Sequence, residues 1–184
     1  MKLSVRAMFP LGTLSLALAF ASAVAVMRAH AQDPAQAQKI RTPAEAVLLN
    51  WNDIGGRLLT MAQDWPEDKY AYKLNKDVRT FQEVLLHIAG SNYDLLNQRT
   101  KSKVGDGRND PPTSEYATKA QTVAFLKKSV EDGAAEIKKE GDAEVSKHLD
   151  YWIGYTEHMG EHYGLLVAYY RANGVMPPES RPKK

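Results

Sequence analysis

The feature that most restricts how this chain can fold is a helix-start signal that occurs three times. Residues 42–45, TPAE, place a threonine at the N-cap, a proline after it and a glutamate three residues later. Thr80 and Thr118 are followed at the same spacing by Glu83 and Gln121. In such a capping box the two side chains each bind the backbone N–H of the other residue. The three signals therefore predict three helices, the second of which could also begin earlier, near Asp77.

Apolar residues recur at helical spacing behind each signal, which predicts amphipathic helices. Pro66 should end the first helix and Gly141-Asp142 the third. A fourth helical segment runs from about Asp150 to Asn173, with Gly174 at a C-cap position. No segment alternates as a strand would. We therefore predict an all-α fold, a four-helix bundle in which the aperiodic residues 100–118 form a long crossover loop between helices two and three.

Two details of the packing stay open in the sequence. Gly55-Gly56 interrupts the first helix, so that this helix either kinks there or has another helix packed very close. Gly160, Gly164 and Ala168 form a seam of small residues on the fourth helix. Such a seam usually indicates close helix packing, and a homodimer interface is the alternative.

The N-terminus has the pattern of a secretory signal. Lys2 and Arg6 precede an apolar run over residues 11–27, and Ala29-His30-Ala31 forms an A-x-A cleavage site. We expect residues 1–31 to be removed after Ala31, the alternative being an uncleaved membrane anchor. The mature protein would then be periplasmic or secreted and not membrane-bound. Residues 32–41 should be a flexible lead-in, residues 42–178 the bundle and residues 179–184 a C-terminal tail.

Composition excludes several classes of protein. The chain has no cysteine, which rules out disulfides, thiolate nucleophiles and thiolate metal sites. Its formal net charge is +2, but Lys2, Arg6 and Arg28 of the signal account for the excess of basic residues. The mature chain is thus close to neutral and has no basic stripe, so we do not expect it to bind nucleic acid.

Histidines provide the strongest functional signal. His158 and His162 are spaced i, i+4, which puts two imidazoles on one face of the fourth helix. That face also carries Tyr151 and Tyr155 and should point inward. Because a buried imidazole needs a hydrogen bond or a metal, the pair either binds a cation or is satisfied by the nearby tyrosine hydroxyls.

His87, on the flank of the second helix, is the candidate third ligand, and His148 should be exposed. Three neutral imidazoles and an open position are typical of a catalytic rather than a structural metal site. Zinc, nickel, copper and iron all accept imidazole, so the sequence does not choose among these divalent ions.

Catalytic side chains are less well defined. Residues 158–162 match H-x-x-E-H, the inverted zinc-protease motif, but only Glu179 follows as an acidic residue that could complete such a site. Glu161 and Asp94 are therefore weak candidates for proton transfer or orientation, together with the tyrosines of the core.

Four segments together resemble the DinB-like family of small helical bundles. They are Lys69-Tyr70, residues 78–89 (VRTFQEVLLHIA), residues 157–164 (EHMGEHYG) and residues 171–178 (RANGVMPP). The resemblance implies a four-helix bundle with a long crossover and a divalent metal held by His87, His158 and His162. Similar proteins include transferases and isomerases that use low-molecular-weight thiols, as well as members with no assigned reaction.

Three functions compete on the sequence. The first is a metal-dependent enzyme acting on a small molecule, for which hydrolysis suits an exported protein better than thiol transfer. The second is a non-catalytic module that captures a metal or a small ligand. The third is a structural bundle in which the histidines only pack.

Overall fold

The computed structural model describes residues 40–101 and 109–182 and is all-helical over that part of the chain. Its long helices are α1 (Pro43–Asp64), α2 (Phe81–Thr100), α3 (Lys119–Lys147) and α4 (Leu149–Ala172). Short helical turns occur at Glu67–Lys69, Thr113–Glu115 and Pro178–Ser180. The prediction of an all-α fold is confirmed. The predicted signal and all of the lead-in up to residue 39 lie outside the described residues.

The three capping boxes are present where the sequence predicted them. In the first, the Glu45 backbone N–H donates to the Thr42 hydroxyl at 3.3 Å, and the Thr42 N–H donates to the Glu45 carboxylate at 3.1 Å. The second box fixes the start of α2 at Phe81, with Thr80 as N-cap, rather than near Asp77. Each box satisfies N–H groups that have no partner within the helix.

The helices α1 and α2 each pack against both α3 and α4, and the apolar core lies between them. Where α1 meets α3, a Cβ added to Gly55 would lie 2.5 Å from the Val130 side chain, and one on Gly133 would lie 2.2 Å from the Trp51 ring. The helix α1 continues through Gly55-Gly56 without a break. Close packing, not a kink, is therefore the reason for a glycine at position 55.

The sequence predicted the end of helix α3 at Gly141-Asp142, and the regular helix is interrupted there, although more helical turns follow. Its backbone breaks there, with Gly141 at φ 66° and ψ −176°, and helical turns resume as far as Lys147. A left-handed φ of this kind favours glycine. Beside the break, a largely buried ion pair joins Arg99 to Glu140 at 2.7 Å, and the Trp152 indole N–H donates to the same carboxylate. This cluster connects the end of α3 to both α2 and α4.

The segments outside the long helices are attached to the core. The loop after α1 folds back, so that the buried Tyr70 hydroxyl donates to the Ala62 carbonyl. At the other end, the guanidinium of Arg181 binds both oxygens of Asp64, at 2.8 and 2.6 Å. Part of the predicted tail is thus fixed to α1 by a bidentate ion pair.

The predicted close packing of the small-residue seam is wrong. A Cβ added to Gly160 or Gly164 would meet no atom within 4 Å, and Ala168 is exposed. The seam lies on the face of α4 opposite the core. Whether a second copy of the chain covers it stays a prediction. Among the described residues, no helix is both long and apolar enough to cross a membrane.

Candidate metal centre

Three imidazoles from two helices meet at one point. His87 comes from α2, and His158 and His162 lie one turn apart on α4. The Nε2 atom of His158 lies 3.1 Å from the Nε2 atoms of both His87 and His162. One ligand atom from each of the three histidines lies within 4.8 Å of the others. The prediction that His87 joins the pair on α4 is confirmed.

These separations suit a shared cation. Two nitrogen ligands of a tetrahedral zinc ion, each about 2.0–2.1 Å from it, lie about 3.3 Å apart. The observed 3.1 Å between nitrogens is close to that value. The three rings are mutually tilted, at interplanar angles of 63°, 81° and 78°, and are therefore not stacked on one another. The lone pair of an imidazole nitrogen lies in the plane of its ring, so unstacked rings can direct their lone pairs at a shared ion.

The hydrogen bonds of His87 determine which of its nitrogens is free to bind. Its Nδ1 atom lies 3.1 Å from the Asn109 carbonyl oxygen and 3.1 Å from a carboxylate oxygen of Asp110. Both neighbours accept hydrogen bonds, so Nδ1 must carry the proton. In the neutral ring, Nε2 then has a lone pair, and that lone pair faces the other two histidines.

His158 lies in the middle of the cluster, and hydrogen bonding alone does not satisfy it. Its Nε2 faces two nitrogens at once, whereas its Nδ1 is buried and has no hydrogen-bond partner. A neutral imidazole has one N–H and one lone pair in the ring plane, so its Nε2 can make at most one well-aligned bond. A cation between the three Nε2 atoms would satisfy all of them together.

The surroundings of His158 and His162 keep these two rings in the state that binds metals. Burial lowers the pKa of His158, and the nearby His87 lowers it further. Burial, with the neighbouring histidines, lowers the pKa of His162 from 6.5 to about 4. Both imidazoles are therefore neutral near pH 7, and only the neutral ring coordinates a metal ion.

A cleft of about 410 Å³ opens beside the cluster. Its walls include His87 and His158 but not His162, together with side chains from α2, α4 and the connection between α2 and α3. Those other lining residues are Ser91, Asn109, Asp150, Tyr151, Gly154 and Tyr155. The cleft is large enough for a small molecule and gives it access to two of the three histidines.

The weaker candidates lie outside the cluster. Asp94 accepts a hydrogen bond from the Tyr155 hydroxyl at 3.0 Å, and Glu161 is exposed on α4. His148, predicted to be exposed, is half-buried at the junction of α3 and α4. Tyr151, predicted to face inward, is 40% exposed. The Tyr155 hydroxyl donates to Asp94 and not to a histidine, which removes it as the partner that would satisfy the pair on α4.

Sequence reasoning missed the residues that support His87. Asn109 and Asp110 contact its Nδ1 atom, and Arg79 binds Asp110 in turn. All three are polar residues without helical periodicity, so no spacing identifies them. The one available signal was the length of the connection between α2 and α3, since long loops often lie over functional sites.

The chain is thus an all-α protein in which three histidines lie close enough together to hold a metal ion. No protein-family model matches it, and no curated protein matches it either.

Proposed function

We propose that this chain is an exported, divalent-metal-dependent enzyme of the hydrolase type, belonging to the DinB-like family of four-helix bundles with a long crossover between α2 and α3. The observation that carries the proposal is the convergence of three imidazoles beside an open cleft that His87 and His158 line. His87, His158 and His162 would be the metal ligands. The ion could be zinc, nickel or iron, all of which accept imidazole ligands.

Three protein ligands leave a coordination position for a water molecule or a substrate. A divalent ion held there supplies Lewis acidity to an oxygen of that molecule. The protein's own part is to hold His158 and His162 neutral, to admit a small substrate through the cleft and to orient it. Tyr155 is the clearest orienting group, because it lines the cleft and its hydroxyl is fixed by Asp94 and by Gln98 at 3.3 Å. Asp94 would then act through Tyr155 rather than on the substrate.

Export favours hydrolysis over the thiol transfer known among similar proteins. Low-molecular-weight thiols are cytoplasmic cofactors, whereas water is present everywhere. Residues 1–31 would direct the chain to the periplasm or out of the cell, with cleavage after Ala31. A thiol-dependent transferase is the alternative enzyme class.

A non-catalytic module that captures a metal or a small ligand is the second candidate. It is favoured by the composition of the cleft wall, on which Asp150 is the one carboxylate among the described lining residues, and that side chain is exposed. A general base usually needs a tuned environment close to the reacting atoms. A capture site needs none.

The deciding experiment is elemental analysis of the mature protein, produced with its own leader and purified without chelators. We expect about one divalent ion per chain in the wild type and less than about a tenth of that in His87→Ala and His158→Ala, since each loses one of three ligands. His148→Ala is the matched control, because it removes an imidazole outside the cluster, and it should retain its metal. Wild-type protein that takes up no divalent ion would overturn the proposal.

Activity assays on the metal-loaded protein separate the two candidates. Turnover of ester, amide or phosphoester probes that is lost in His158→Ala supports the enzyme. Tight and reversible metal uptake, without turnover of these probes or of thiol-transfer substrates, supports the capture module.

A further inference from the structure

We infer that Asp110 is a positioning residue for the metal centre, and that Arg79 holds it in place. The inference rests on the proposed function, because it concerns how His87 is presented to the ion. It adds to that proposal two successive charged contacts, in which Arg79 binds Asp110 and Asp110 binds the ligand His87.

Asp110 contacts both Arg79 and His87 through hydrogen bonds. Arg79 donates from Nε to one oxygen of Asp110 at 3.0 Å and from Nη2 to the other at 3.1 Å. The oxygen that receives Nε also lies 3.1 Å from Nδ1 of His87. Two parallel bonds between a guanidinium and a carboxylate fix the plane and the direction of the carboxylate. The guanidinium thus orients Asp110 so that one of its oxygens accepts a hydrogen bond from Nδ1–H of His87.

Arg79 and Asp110 are anchored independently of each other. The hydroxyl of the buried Tyr169 on α4 donates to the backbone carbonyl of Arg79. Asp110 is followed by the buried Pro111 and by Pro112, whose rings restrict the backbone on that side. The carboxylate thus reaches His87 from a restrained segment, although its own side chain is 57% exposed.

A carboxylate on the second nitrogen of a ligating histidine has a known physical effect. It fixes the tautomer, orients the ring and makes the metal-binding nitrogen more basic, and its loss typically costs 10–100-fold in metal affinity. Of the three histidines, only His87 has such a partner on its Nδ1, since Nδ1 of His158 has no hydrogen-bond partner and no carboxylate contact of His162 is observed among the described residues. His87 comes from a different helix than the other two. Its orientation therefore decides whether the site closes around an ion.

The test measures zinc affinity by competition with a chromophoric chelator and cobalt binding by its visible spectrum, each metal being used alone. Asp110→Ala should weaken zinc binding about 10–100-fold. Asp110→Asn, which keeps an acceptor oxygen but loses the charge, should have a smaller effect, and Arg79→Ala should fall between wild type and Asp110→Ala. Asp77→Ala is the matched control. Asp77 and Asp110 line a second surface cleft, separate from the one beside the histidines, and Asp77 pairs with Lys76 rather than with a histidine. Its loss should leave zinc affinity within twofold.

A second readout needs no metal. The ring nitrogens of His87 in the metal-free protein, observed by proton–nitrogen correlation NMR, should show a proton on Nδ1 in the wild type, and a larger fraction with the proton on Nε2 in Asp110→Ala. The inference is overturned if the wild-type ring carries its proton on Nε2, or if Asp110→Ala binds zinc as tightly as Asp77→Ala. A wild type that binds no metal overturns the proposed function instead, and the NMR result then decides alone whether Asp110 positions His87.

Discussion

Gly133 is the residue at which the packing of α1 against α3 leaves the least room. The nearest atom to an added Cβ is a ring carbon of Trp51 at 2.2 Å. The ring cannot move easily, because it is fully buried and its N–H donates to the Val130 carbonyl at 2.9 Å. We expect Gly133→Ala to lower the free energy of unfolding by about 1–3 kcal/mol, the usual range for overpacking.

Gly56 provides the matched substitution. It lies in the interior of α1, is exposed, and an added Cβ would meet no atom within 4 Å. Replacing glycine by alanine at such a site should stabilise the protein by about 0.5–1 kcal/mol, because it reduces the entropy of the unfolded chain. Urea unfolding of both variants checks the pair, and equal effects at the two positions would contradict this account of α1.

At the same scale, the sequence reveals ligands more readily than the residues that support them. The i, i+4 spacing of His158 and His162 is a property of a single helix, and it predicts a shared face without knowledge of the fold. His87 could be added because few histidines were available. Asp110 could not, since its contact with His87 depends on the path of a loop, and a loop path follows from no local pattern.

At the scale of the helices, Lys119 connects the start of α3 to the end of α1. Its ammonium donates to the Gln63 and Trp65 carbonyls, at 2.6 and 2.7 Å, where α1 has no further turn to satisfy them. We expect Lys119→Met to lower the free energy of unfolding by about 1.5–3 kcal/mol, the range for hydrogen bonds to charged groups. The methionine keeps the apolar stem and removes the ammonium group, with its donors and its charge over the Tyr70 ring.

Lys127→Met is the control for this effect. Lys127 lies on the same helix, is mostly exposed, and pairs with Glu131 at 3.6 Å. An exposed pair of this kind contributes less than about 1 kcal/mol. Denaturant titration that showed equal losses in the two variants would mean that the carbonyls of α1 do not depend on Lys119.

Helix starts were predictable because each capping box is contained within four residues. The break at Gly141 was predictable too, but the helical turns that follow it were not. A glycine followed by aspartate can end a helix or interrupt it, and the turns resume here next to the largely buried cluster of Arg99, Glu140 and Trp152. The start of α4 has no capping box, and its N-cap residue His148 makes no side-chain cap hydrogen bond.

At the scale of the whole molecule, the ion pair between Asp64 and Arg181 makes stability depend on pH. The hydrogen bonds from Arg181 lower the pKa of Asp64 below its ordinary value of 3.8, and the Tyr170 hydroxyl adds to the effect. A carboxyl whose pKa is lower in the folded state contributes stability above the unfolded pKa, and this contribution is lost as the pH falls through the folded one. The ion pair between Asp64 and Arg181 thus contributes most to the free energy of unfolding near neutral pH.

We therefore expect Asp64→Asn to be less stable than the wild type near neutral pH and to approach it as the pH falls below 3.8. Chemical unfolding at both pH values measures the difference. In an Arg181→Ala background the same substitution should have little effect at either pH, because the partner is already absent. A constant difference across the pH range would show that Asp64 stabilises the fold through contacts unrelated to its charge.

Each of the three tryptophans lies at a different junction in the interior. Trp51, Trp65 and Trp152 are fully buried, and their indole N–H groups donate to Val130, Lys69 and Glu140. Indole emission moves to longer wavelengths when the ring becomes exposed to water, so the unlabelled protein should report its own unfolding optically. Variants that keep one tryptophan at a time would show whether the contact of α1 with α3, the loop after α1 and the start of α4 are lost together or in sequence.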